Sequence, residues 1–253
     1  MSEAPRNETI ETTGRSGTAR GDLRTPGNGT PWPAVLLCPG APVEAADFGP
    51  LLDDAAAALT DAGFATLVVS SRLADPLLAR ASSAQSLIDD CDALLEWLIA
   101  CDQVDASRVA LIGYSTGALA AAAVGGMSVR LNGIAFIAPA SSEQLLKWLE
   151  RSGDGGPVDE AVVESFQALD GVADATRFPT STLVMQGAAE LAAGGSAGPA
   201  FVEGLIANGV SPQSLIVAHA HHPFASVAGR LACLDQLLSF VTGLPARATA
   251  GAS

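Results

Sequence analysis

Positive charge is the scarcest property of this chain. Its 253 residues hold one lysine, Lys147, and twelve arginines against 27 acidic side chains, for a net charge of −14. A surface this acidic repels phosphate backbones, which argues against nucleic acid as a partner. The simplest role for the charge is to keep a folded protein soluble. Long hydrophobic runs are also missing: apolar stretches are broken by Gly, Pro or charge well before the roughly 20 residues a membrane helix needs. The N-terminus carries Glu3, Arg6, Glu8 and Glu11 with no apolar run behind them, so no secretory signal and no membrane partner are expected. A cytoplasmic location follows as the expectation. Cysteine is sparse as well. Cys38, Cys91, Cys101 and Cys233 form no CxxC and no Cys/His pair at metal-ligand spacing, so buried reduced thiols are expected rather than a metal site.

Apolar residues, by contrast, make up 49% of the chain, and the length fits one α/β domain over residues 1–253 with a large core. Strand-like runs alternate with helix-like ones, the pattern of a mostly parallel central sheet flanked by helices. The strand candidates are Ala34–Cys38, Ala65–Ser70, Arg108–Gly113, Gly133–Ala138, Thr182–Gln186 and Ser214–Ala218. They are continuously apolar, as strands buried on both faces must be. Helical spacing appears over Leu51–Ala62, over Ser82–Cys101 (Leu87, Cys91, Leu94, Leu95 and Leu98 on one face, acids on the other), and over Ser115–Val124, Ala200–Ala207 and Ala225–Val241. Residues 1–30 read either as a tail or, preferably, as two antiparallel edge strands around Glu8–Glu11 and Gly21–Arg24. Residues 141–179 hold two helix candidates around the loop Ser152–Pro157 and break the strand rhythm, as a small cap over the strand ends would.

Gly113-Tyr114-Ser115-Thr116-Gly117 fits G-x-S-x-G, entered from a buried strand and left through an Ala-rich helix. A serine at such a turn takes strained backbone angles, so the residues two before and two after must be small. Ser115 is therefore the candidate nucleophile. The helix N-terminus behind it offers N–H groups to an oxyanion, that of Thr116 first among them. Cys38-Pro39-Gly40-Ala41-Pro42 follows the first buried strand, where proteins with a G-x-S-x-G nucleophile turn commonly place a second oxyanion donor. Neither proline can donate, which leaves the Ala41 N–H.

All three histidines fall in Ala218-His219-Ala220-His221-His222-Pro223-Phe224, after the last strand. A serine hydroxyl needs a neighbouring base, and histidine has the suitable pKa. His222, preceding a short step into the last helix, is the first choice; His221 is second, and His219 lies close to the strand end. No acidic or Cys ligand stands at a metal spacing from the cluster. The acid should follow Thr182–Gln186, and Glu190 is the only acidic residue before Glu203. Glu143 is the fallback. Tyr114 within the turn, and Trp148 and Phe166 in the cap, are candidate substrate-binding residues, with core packing the alternative for the cap pair.

Together these residues resemble the α/β-hydrolases, and within them the dienelactone-hydrolase-like branch. The resemblance runs from about Thr9 to Val241 and rests on Pro33–Leu37, the loop at Gly40, Asp61-Ala62-Gly63-Phe64, Val104–Arg108 leading to Gly113-Tyr114-Ser115, then Gly187 and His222. Many relatives have His-Gly where this chain has Pro39-Gly40, and Asp where it has Glu190. The resemblance implies a Ser-His-acid mechanism with no metal or organic cofactor, acting on a carbonyl or ester; the leading reading is a serine hydrolase whose small-molecule partner is a small or medium acyl ester, lactone or thioester. Two alternatives stand beside it: a natural-product tailoring enzyme that uses the same groups for elimination or cyclisation, and a non-catalytic binding protein. Either a monomer or a homodimer fits the sequence.

Overall fold

The computed structural model describes residues 6–27, 29–40, 49–72, 82–151, 158–169, 178–179, 181–192, 197–218, 220, 224 and 226–247. Among them, strands β1 (Arg6–Gly14), β2 (Gly17–Thr25), β3 (Trp32–Cys38), β4 (Ala65–Val69), β5 (Val104–Tyr114), β6 (Gly133–Ile137), β7 (Ser181–Gly187) and β8 (Gln213–Val217) build one sheet. Its order is β1-β2-β4-β3-β5-β6-β7-β8. The pairs β1/β2 and β2/β4 are antiparallel, and every later pair is parallel. The helices are α1 (Gly49–Asp61), α2 (Ala84–Ala100), α3 (Gly117–Met127), α4 (Ser142–Arg151), α5 (Glu160–Gln167), α6 (Ala188–Ala192), α7 (Gly198–Ala207) and α8 (Val227–Thr242). This is the α/β architecture the alternating pattern calls for. None of the described helices is long and apolar enough to cross a membrane.

Period-two geometry sorts each central strand onto two cores. Ala34, Leu36 and Cys38 of β3, Val109 and Leu111 of β5, and Ile134 and Phe136 of β6 face one cluster, shared with α2, α3, α4, α5 and Leu205 of α7. Val35 and Leu37, then Ala110, Ile112 and Tyr114, then Ala135 and Ile137 face the other, shared with α1 and α8. Burial on both faces is why these strands read as unbroken apolar runs. Helix α3 is buried from Gly117 through Gly126, so only Ala, Gly, Leu and Val fit along it. The β1/β2 hairpin turns between Gly14 and Gly17, the latter at φ +110°, and inserts Ile10, Ala19 and Leu23 into the first core.

Two local features differ from the sequence reading. Strand β5 begins at Val104 rather than Arg108, because Trp32 pairs with Val104 and its N–H donates to the Gln103 carbonyl at 2.8 Å. The acids of α2 do not all face water: Asp89 and Asp90 are buried, 7% and 5% exposed. Each has partners from distant segments. Asp90 receives a two-pronged contact from Arg72, Nε to Oδ2 at 2.6 Å and Nη2 to Oδ1 at 3.0 Å. Asp89 accepts from the Ser16 hydroxyl and from Gln85 Nε2. Charge-assisted bonds of this kind are what make a buried carboxylate tolerable. The bond to Asp90 also holds the Arg72 guanidinium above its already high pKa, against the lowering effect of partial burial.

Candidate active site

Parallel register brings the carboxyl ends of β3, β5, β6 and β7 to one rim, where Cys38 stands beside Gly113, Tyr114 beside Ile137, and Ile137 beside Met185. Ser115 sits on that rim between β5 and α3, with φ +55°. A non-glycine residue in this region carries strain of order 1–3 kcal/mol, which its surroundings must impose. Here they do so through the backbone. The Ser115 N–H donates to the Ile137 carbonyl at 2.9 Å, and its own carbonyl accepts from Ala118 at 3.0 Å and Ala140 at 3.2 Å. The side chain is tucked in, with the residue 3% exposed.

The glycines around the turn are there for space. A β-carbon on Gly113 would lie 2.6 Å from Ala118 Cα and from Ala121 Cβ. One on Gly117 would lie 2.3 Å from the Cys38 carbonyl oxygen and 2.4 Å from that of Pro39. The loop after β3 therefore rests directly on the start of α3. Its next residue, Gly40, packs on the serine itself: a β-carbon there would lie 2.7 Å from Ser115 Cβ and 3.2 Å from its Oγ. Thr116, in helical geometry and 6% exposed, presents the first N–H after the serine at the N-terminus of α3. Ala41 lies outside the described residues, as do His219, His221 and His222.

On the far side of the rim, β7 runs without a loop into the short helix α6, which carries Glu190. The residue is half-buried, and its Oε2 is sequestered from solvent. This helical turn is five residues long, too short for any periodicity to reveal. The Ala189 N–H donates to the Ala220 carbonyl at 3.0 Å, and a β-carbon on Gly187 would lie 2.5 Å from that same oxygen. The acid's segment is thus bonded to the middle of the histidine-rich phrase. Glu143 is elsewhere, on the exposed face of α4, with Lys147 Nζ 2.6 Å from its Oε1. Hydrogen bonding and charge from Lys147 hold the Glu143 carboxyl below the usual carboxylate range.

Tyr114, Trp148 and Phe166 are all buried: Tyr114 in the α1/α8 core, Trp148 and Phe166 in the opposite core with α2. Sequence reasoning also missed Ala138, at φ +44° directly after β6, whose N–H donates to the Met185 carbonyl at 2.8 Å. An alanine in that conformation leaves no compositional signal; glycine would have.

A strained serine between a parallel strand and a helix, floored by a glycine loop on the carboxyl rim of a mostly parallel sheet, defines the class of α/β-hydrolases. The chain belongs to the prolyl oligopeptidase family, whose model matches residues 78–244. No curated protein matches in sequence. Solved structures match the fold over nearly its whole length. A thermophilic carboxylesterase, EstE1, cloned from a metagenomic library is 19% identical with a TM-score of 0.70, covering 97% of this chain and 91% of its own. The hyperthermophilic esterase of the archaeon Pyrobaculum calidifontis is 20% identical with a TM-score of 0.72, covering 93% and 85%. A dienelactone hydrolase from Anabaena variabilis is 16% identical with a TM-score of 0.64, covering 96% and 99%.

Proposed function

We propose that the protein is a serine hydrolase that cleaves small or medium acyl esters, lactones or thioesters through Ser115, His222 and Glu190. The observation that carries this reading is the Ser115 turn itself: a left-handed serine held by three backbone hydrogen bonds and covered by Gly40. Strain of this kind needs a use, and presenting a nucleophile is the use it has in this fold.

In the first half-reaction Ser115 Oγ attacks the substrate carbonyl while His222 takes its proton. The oxygen that becomes negative is stabilised by the N–H groups of Thr116 and Ala41, aided by the N-terminal end of α3. His222 then returns the proton to the leaving group, and an acyl-serine remains. Water, deprotonated by the same histidine, releases the acid. Glu190 orients the imidazole and stabilises its cation. The bond between Ala189 and Ala220 supports that role, since it ties the acid's turn to the loop from which the base comes. We assign acyl-length selection to the α4–α5 pair, through the buried Trp148 and Phe166, and to Tyr114 a part in the wall beneath the serine.

Family membership favours a second reading, cleavage of a peptide bond by the same groups, in which His222 protonates a departing amine. An elimination would use the same groups again but release an alkene. A fluorophosphonate probe and a panel of p-nitrophenyl esters from acetate to decanoate, run beside a dipeptidyl p-nitroanilide, separate ester from peptide cleavage, and mass spectrometry of the products from an alkyl ester separates elimination, which gives an alkene, from hydrolysis, which gives an alcohol. Ester turnover with adduct on Ser115, and its loss in Ser115→Ala, is the expected result. Failure of the folded protein to label would overturn all three.

A further inference from the structure

Cys38 is the last residue of β3 and Cys91 lies in the middle of α2, 53 residues away in sequence. Their sulfurs are 3.2 Å apart, and both residues are buried, 1% and 4% exposed. Both are free thiols. A small cavity of about 20 Å³ reaches them, lined also by Ser71, Asp90, Thr116 and Gly117. That is space for a molecule the size of water. The same cavity is therefore lined by both cysteines and by the residue that follows the nucleophile.

We propose that Cys38 and Cys91 are a redox modification site, closed by a peroxide into a disulfide that restrains the loop over Ser115. One sulfur attacks the peroxide, the O–O bond breaks, and a sulfenic acid and one water form. The second sulfur attacks the first; the S–O bond breaks, and the departing hydroxide takes the remaining thiol proton as a second water. Two electrons pass from the sulfurs to the peroxide. Closure needs the sulfurs to approach from 3.2 Å to roughly 2.05 Å, which draws the end of β3 toward α2. That end is not free to move alone. The Cys38 carbonyl rests on Gly117, and Gly40, two residues on, rests on Ser115. A displacement there reaches the start of α3, next to Thr116, and the nucleophile.

The surroundings also set the resting state. The hydrogen bond between it and Cys38, then burial, then the charges of Cys38, Asp90 and Asp92 hold the Cys91 thiol well above the ordinary thiol range. Thiolates, not thiols, react with peroxides, so the pair stays reduced until oxidant is sustained.

The kinetic half of this inference rests on the hydrolase reading; the bond itself does not. The test uses the full chain carrying Cys101→Ser, because Cys101 shares the tryptic peptide Ala81–Arg108 with Cys91. The protein is treated with hydrogen peroxide, denatured, alkylated with N-ethylmaleimide and mapped by mass spectrometry, with ester turnover followed in parallel. The expected result is two fewer adducts, a linked pair Thr25–Arg72 and Ala81–Arg108, and kcat lowered about tenfold and restored by dithiothreitol. Cys91→Ala in the same background should keep its starting kcat and lose the sensitivity; Cys91→Ser is the second replacement if the alanine variant folds poorly. Cys38 and Cys91 remaining alkylatable, or a linked protein with unchanged kcat, would overturn the proposal, as would equal inactivation of the Cys91 variants. A linked peptide in protein that never turns over an ester counts against the hydrolase reading alone.

Discussion

Gly40 lies so close to Ser115 that a β-carbon on the glycine would stand 2.7 Å from that of the serine. This contact, rather than any turn requirement, explains a glycine here. It also gives the first prediction. Gly40→Ala must push the loop or the serine aside, and a shift approaching 1 Å at a reacting atom costs about 100-fold in rate. The expected outcome is a fall of that order in kcat/KM for a p-nitrophenyl ester, with the far-ultraviolet circular dichroism spectrum unchanged.

The two candidate acids separate in the same assay. In the proposed mechanism Glu190→Gln removes the charge that orients the imidazole and should lower kcat by two orders of magnitude or more. Glu143→Gln breaks only an exposed pair with Lys147 and should leave kcat within about twofold. A Glu190→Gln protein with wild-type kcat would remove that residue from the mechanism.

Arg72 and Asp90 give a stability prediction. Breaking a fully buried ion pair by removing one partner costs about 3–5 kcal/mol. Arg72 keeps 28% of its side chain in solvent against 7% for Asp90, so the cost of Arg72→Met is discounted to about 2 kcal/mol. Urea unfolding should show a lower midpoint with an unchanged m-value.

Cys233 sets a pH limit. Burial pushes its thiol from the ordinary 9.0 up to about 12. Because the folded pKa is the higher one, the unfolded chain loses this proton first. The thiol's contribution to stability is therefore whole below pH 9 and is lost as pH rises toward 12, at up to about 1.4 kcal/mol per pH unit. Cys233→Ala is expected to be less stable at neutral pH and to show a shallower decline in thermal midpoint between pH 9 and 11.

The sheet and the serine turn could be read before any coordinates because each is local. Val35-Leu36-Leu37 and Ile134-Ala135-Phe136 announce strands buried on two faces, and Gly113 and Gly117 bracket the serine within a single turn. What the sequence hides is what depends on distant partners. Asp89 and Asp90 look like solvated helix acids until Ser16 and Arg72 reach them. Cys38 and Cys91 look like unrelated apolar thiols until the fold sets them in contact. Residues 104–107 lack an apolar run, and they extend β5 only because Trp32 pairs with its first residue. Glu190 stands out in the sequence as the one acidic residue between Gln186 and Glu203, but its helical turn does not, since five residues leave no period to detect.

One hydrogen bond has a mechanical corollary. Because the Ala189 amide is fastened to the Ala220 carbonyl, the turn that carries Glu190 and the segment at Ala220 form a single clamp, although 31 positions separate the bonded residues. Strain applied at either jaw is transmitted to the other. Insertions tolerated in the intervening helix α7 should leave that clamp intact, whereas lengthening the chain between Gly187 and Ala189 by even one residue would pull its jaws out of step.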